Sequence, residues 1–72
     1  MTFPDKVRQI RKESGLTQVA LAKGIGVSDR TIKRYEAGTV EPTLSALLTL
    51  ADFFQISLDY LVGRSETRER LP

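Results

Sequence analysis

The sequence predicts an all-α domain of five short helices with a helix-turn-helix at its centre. Three observations carry this. Apolar residues recur at the three- and four-residue spacing of helices. A serine or threonine (Thr2, Thr17, Ser28, Thr43, Ser57) stands just before each helical run, where a hydroxyl can take up an orphan backbone N–H. The stretch Thr17–Gly38, TQVALAKGIGVSDRTIKRYEAG, holds two short helical patterns joined by a tight glycine turn.

Helix one starts at Thr2–Phe3–Pro4–Asp5. Thr2 and Asp5 resemble a capping box, and proline is tolerated in a first turn. Phe3, Val7 and Ile10 form its apolar stripe, and Ser14–Gly15 ends it. Helix two spans roughly Gln18–Lys23. Gly24 reads as its early C-cap, with close backbone approach to a nucleic acid as the other reading. Gly26 supplies the sharp turn. Helix three spans Asp29–Ala37 and is closed by Gly38. The inward residues of this pair are Leu21, Ala22, Ile25, Val27, Ile32 and Tyr35. After the connector Thr39–Pro42 comes helix four, Leu44–Phe54, whose broad stripe is Leu44, Leu47, Leu48, Leu50, Ala51 and Phe54. Helix five, Leu58–Val62, ends at Gly63, with Leu58 and Leu61 inward. The expected organisation is therefore one domain over residues 1–63 and a charged flexible tail or linker over 64–72.

With 72 residues the chain buries a modest share of its surface. It has no cysteine and no histidine, which removes disulfides, thiolate metal sites and the commonest general base. No serine has a histidine to activate it, and the acids lack metal-ligand spacing, so no enzyme, metal or cofactor is expected. No apolar run is long enough to span a membrane and no signal pattern opens the chain; a cytoplasmic location is the default expectation. The net charge of +2 is mild, but its distribution is uneven. Lys6, Arg8, Arg11 and Lys12 lie on helix one and Arg30, Lys33 and Arg34 on helix three, while Glu41, Asp52 and Asp59 lie toward the C-terminus. On helix three, Asp29, Arg30, Lys33, Arg34 and Ala37 share one arc of about 140° at 100° per residue. A basic face of this kind is either simply solvated or meets a polyanion.

Arg11, Gly15–Leu16–Thr17–Gln18, Leu21–Ala22, Gly26–Val27–Ser28, Thr31–Ile32, Tyr35–Glu36, Gly38, Pro42, Leu44, Leu50–Ala51 and Ser57–Leu58–Asp59–Tyr60–Leu61 follow one another in an order and spacing that resembles the Cro/CI-type (XRE-type) helix-turn-helix family. The resemblance covers about Val7–Gly63 and implies a lambda-repressor-like fold. It also implies sequence-specific binding of double-stranded DNA as a transcriptional regulator, a repressor by preference. The alternative is a protein-interaction module on the same fold, such as an antitoxin or anti-repressor. In that context the outward face of helix three offers Arg30, Lys33, Arg34 and Asp29 for base reading; the resemblance gives Gln18 a phosphate contact, and the hydroxyls and backbone N–H groups of Ser28, Thr31 and Thr39 suit further phosphate contacts. Each has a plainer reading: Gln18 as an ordinary exposed glutamine, and Asp29 as a helix-start acid paired with Lys33 at i,i+4.

Glu36 falls on the inward arc of helix three, where an unpaired carboxylate would be costly. The resemblance pairs it with Arg11 as a structural salt bridge; the other reading has it bend into water. Phe53 points away from the stripe of helix four. It is either a lone exposed aromatic or, with Gln55 and Tyr60, part of a weak homodimer interface formed on a near-palindromic operator.

Overall fold

In the structure, a computed structural model describing residues 1–70, five helices follow in order: α1 (Phe3–Glu13), α2 (Gln18–Ile25), α3 (Asp29–Ala37), α4 (Leu44–Phe54) and α5 (Leu58–Leu61). Hydroxyls open four of them as the sequence predicts. Thr17, Ser28, Thr43 and Ser57 accept from the backbone N–H of Ala20, Thr31, Ala46 and Tyr60 at 3.0–3.2 Å. Each such cap stabilises a helix start by about 1 kcal/mol. At the start of α1 the Thr2 hydroxyl donates to Asp5 Oδ2 at 3.0 Å.

α3 packs between α1 and α2, α4 packs on α2 and α5, and α5 returns to α1. The core is built from Val7 and Ile10, Leu21 and Ala22, Ile32 and Tyr35, Leu50 and Ala51, and Ile56, Tyr60 and Leu61. Every helix thus contributes a pair, and Ile56 comes from the α4–α5 turn. Phe3 covers one edge, its ring meeting Tyr35 edge-on at 5.8 Å.

Several expectations need correction. α2 runs on through Gly24 to Ile25, and the left-handed C-cap is Gly26 (φ 77°), so Gly24 is a helical residue. Its role is steric: a Cβ there would sit 2.5 Å from Phe53 Cε1. Close approach at Gly24 is therefore to an aromatic ring of α4. α5 stops one residue early, at Leu61. Leu44 and Leu48 are exposed, because the stripe of α4 is wider than the face it turns to α2 and α5.

The segment after Gly63 is also more ordered than a frayed tail as far as residue 70. Ser57 donates its backbone N–H to Arg68 O and its hydroxyl to Thr67 O, at 2.8 and 2.9 Å. Arg68 Nη2 reaches Glu13 at 2.6 Å, and Arg70 Nη2 reaches Asp52 at the same distance. Alternating charges let the strap reach acids on α1 and α4, which a reading of periodicity alone misses. Leu71 and Pro72, the end of the expected tail, lie outside the described residues.

Candidate nucleic-acid interface

α3 presents two unlike faces. Inward, Ile32, Tyr35 and Glu36 are buried. Outward, Arg30, Lys33 and Arg34 are exposed. Among the described residues the one ion pair these three cations make is Lys33 Nζ to Asp29 Oδ2, 3.5 Å, between largely solvated groups. Asp29 thus takes the plainer of its two predicted positions in the free chain: in the first turn of α3, facing the helix dipole favourably and paired at i,i+4.

The hydroxyls lie around this face. Ser28 caps α3 and its Oγ is 3.0 Å from Thr31 Oγ1. Thr39 is exposed just beyond the other end, where its backbone N–H bonds Arg34 O at 3.2 Å and its hydroxyl donates to the same carbonyl at 3.4 Å. Gln18 opens α2, but its side chain does not simply project into solvent: Nε2 donates to Glu36 Oε1 at 3.2 Å.

Glu36 is the node behind the face. Arg11 grips its carboxylate with two prongs, Nε to Oε2 at 2.6 Å and Nη2 to Oε1 at 3.0 Å. Arg11 Nη1 also caps Leu16 O at 2.9 Å, which ties the α1–α2 turn to the same point. Burial alone would raise the Glu36 carboxyl, but hydrogen bonds from Arg11 and Gln18 outweigh it and hold it below the usual value. The same bond raises Arg11. The expected salt bridge is present in full, so the outward-bending alternative for Glu36 does not hold.

Two expected residues are placed otherwise. Tyr60, assigned to a two-fold interface, is buried: its ring lies beneath Lys6 Nζ at 3.9 Å and its hydroxyl accepts from Arg68 Nε at 2.9 Å. It offers no surface to a second copy. Lys6, one of the cations counted on helix one, is buried in the same contact. Phe53 remains partly exposed at 41%, one edge against Gly24 and the other edge-on to Phe54 at 5.1 Å. Gln55 is exposed and closes α4 in the left-handed conformation (φ 56°).

Arg8 was visible in the sequence only as one of several cations. Its Nη2 donates to the carbonyl of Glu36 at 2.7 Å. The signal that could have found it is its spacing: three residues before Arg11, it shares the helix face turned toward α3. Among the described residues no group of three or more Cys, His, Asp or Glu is arranged to hold a metal ion. Among the same residues no helix is long and apolar enough to cross a membrane. What the arrangement offers chemically is a rigidly backed cationic face edged with hydroxyls.

Comparison with known proteins places this geometry. The family described as helix-turn-helix matches residues 7–61. The chain is similar to the cryptic phage CTXphi transcriptional repressor RstR of Vibrio cholerae, 42% identical over 65 residues that cover 90% of this chain and 59% of that protein. It resembles the P22 c2 repressor crystallised with synthetic operator 9T, with a TM-score of 0.84 and 34% identity over 90% of this chain and 98% of that one. A LexA repressor from Eubacterium rectale superposes with a TM-score of 0.81 at 28% identity, covering 97% of this chain and 76% of the other. The chain spans about three fifths of the length of the RstR relatives it matches.

Proposed function

This chain belongs to the helix-turn-helix family, and from that membership and the outward face of α3 we propose that it is a sequence-specific, double-stranded-DNA-binding transcriptional regulator that acts as a repressor. The observation that carries the reading is Arg30, Lys33 and Arg34 exposed on a helix whose other side is locked by the Arg11–Glu36 pair. A helix of nine residues is short enough to lie in a major groove. Arg30 or Arg34 grips guanine bidentately, and the Asp29–Lys33 pair reads as a unit, the acid accepting from cytosine and the cation reaching a base or phosphate. Ser28, Thr31, Thr39 and the start of α2 at Gln18 bond phosphates and set the register. The relatives described as repressors, one of them crystallised with a synthetic operator, support the regulatory role.

The operator is near-palindromic and is bound by a homodimer that assembles weakly, with Phe53 and Gln55 at its interface. The partial exposure of Phe53 supports this assignment. Recognition helices of the two copies then sit about 34 Å apart, one duplex turn.

Selection of bound sites from random duplexes, followed by titration across salt, tests the reading. A recovered consensus, with log K falling steeply against log salt, supports it. No duplex affinity at low salt overturns it in favour of a protein-interaction module. Two symmetric half-sites with cooperative binding support the dimer; a single asymmetric site bound by one copy overturns it.

A further inference from the structure

Four carbonyls at the end of any helix lack intrahelical partners. At the end of α3 the Arg34 and Tyr35 carbonyls are taken by the backbone N–H groups of Gly38 and Thr39. The Glu36 carbonyl is taken by a side chain from another helix, Arg8 Nη2 at 2.7 Å. Arg8 Nε also lies 3.9 Å from Glu36 Oε1. Glu36 is therefore held twice by α1, at its carboxylate by Arg11 and at its backbone by Arg8. The two holds differ in kind. A side-chain hold can follow the helix as χ angles adjust, whereas a backbone hold fixes the axis itself. A cation at this end also meets the negative pole of the α3 dipole.

We infer that Arg8 is a positioning residue for base recognition: by capping the Glu36 carbonyl it fixes the pitch of the last turn of α3, two residues from Arg34. Recognition geometry tolerates errors of only about 0.5 Å, and a long side chain amplifies any tilt of the helix that carries it. The assignment rests on the DNA-binding reading above. Its rival is a plain phosphate contact, since the Arg8 side chain is 44% exposed.

Arg8→Lys keeps the charge but lacks the fork that joins the carbonyl to the carboxylate, and Arg8→Gln removes the charge. Both are titrated against the selected site and against non-specific duplex across salt, and amide exchange at Gly38 and Thr39 is followed in the free protein. The expected result for Arg8→Lys is about a tenfold loss on the selected site. Non-specific affinity and salt slope stay at the parent's values, and exchange at Gly38 and Thr39 speeds up. If Arg8→Lys behaves as the parent while Arg8→Gln weakens both duplexes alike and lowers the salt slope by about one, Arg8 is a phosphate contact and the inference is overturned. Unchanged exchange together with unchanged specificity overturns it as well. A parent chain that binds no duplex overturns the DNA-binding reading and this role with it; a parent that binds normally beside an unaffected lysine variant overturns this role alone.

Discussion

Arg11 and Glu36, 25 residues apart in the chain, share a two-pronged buried contact of 2.6 and 3.0 Å that joins the first helix to the back of α3. Removing one partner strands the other charge in the core. Arg11→Ala or Glu36→Ala is expected to lower stability by about 3–5 kcal/mol. Replacing both with apolar residues of similar volume is expected to cost far less. Thermal and urea melts of the two single variants and the double decide this; small, additive losses would show that the pair is not the fastening described here.

The same carboxylate sets an acid limb. Glu36 is held below its ordinary value of 4.5, so its contribution is fully present above that value and is lost as pH falls through the lower native one. Stability measured by urea titration is therefore expected to decline on acidification below about pH 4.5. Glu36→Gln should begin less stable and show a flatter decline over this window. Glu13, lowered by its hydrogen bond from Arg68, titrates in the same direction, so Arg68→Ala serves as the control that separates the two.

Gly24 and Phe53 are coupled by space. A Cβ on Gly24 meets the far end of the Phe53 ring, which has to swing away. In an open helical position alanine is better than glycine by about 1 kcal/mol. Gly24→Ala is therefore expected to stabilise the chain in a Phe53→Ala background and to gain little or lose in the parent. A double-mutant cycle on melting free energies reads the coupling; equal effects in both backgrounds would mean that the ring moves freely.

On the outer face, Arg34→Ala is expected to cost about 1–3 kcal/mol on the selected operator and to relax preference at one base pair. Melting should scarcely change, because Arg34 is exposed. Repeating the site selection with the variant checks this, and an unchanged consensus would remove Arg34 from the set of base readers.

The helices were legible because their signals are local. Hydroxyl caps, closing glycines and stripes of three and four residues located α3 and α4 to the residue. An acid on an apolar arc marked Glu36 as needing a partner, and the family resemblance supplied Arg11 as that partner. What escaped depends on distant partners. Gly24 looks like a helix end until Phe53 arrives from 29 positions later to occupy the space. Tyr60 looks like a surface aromatic until Lys6 and Arg68 close over it from either end of the chain. Arg8 and the strap at Ser65–Arg70 escaped for the same reason, since a surface charge in sequence carries no mark of the carbonyl or acid it will find.

The division of α3 into a fastened side and a free side bears on how such a chain can change by mutation. Substitutions at exposed positions away from special features usually shift stability by no more than about 0.5 kcal/mol. Arg30, Lys33 and Arg34 are such positions, whereas Ile32, Tyr35 and Glu36, their immediate neighbours, are not. On the proposed DNA-binding reading, one codon in this helix alters what the protein recognises without endangering whether it folds, while the codon beside it does the reverse. On that reading, divergent copies of the chain acquire new target preferences in single steps, each step starting from a protein that is still intact.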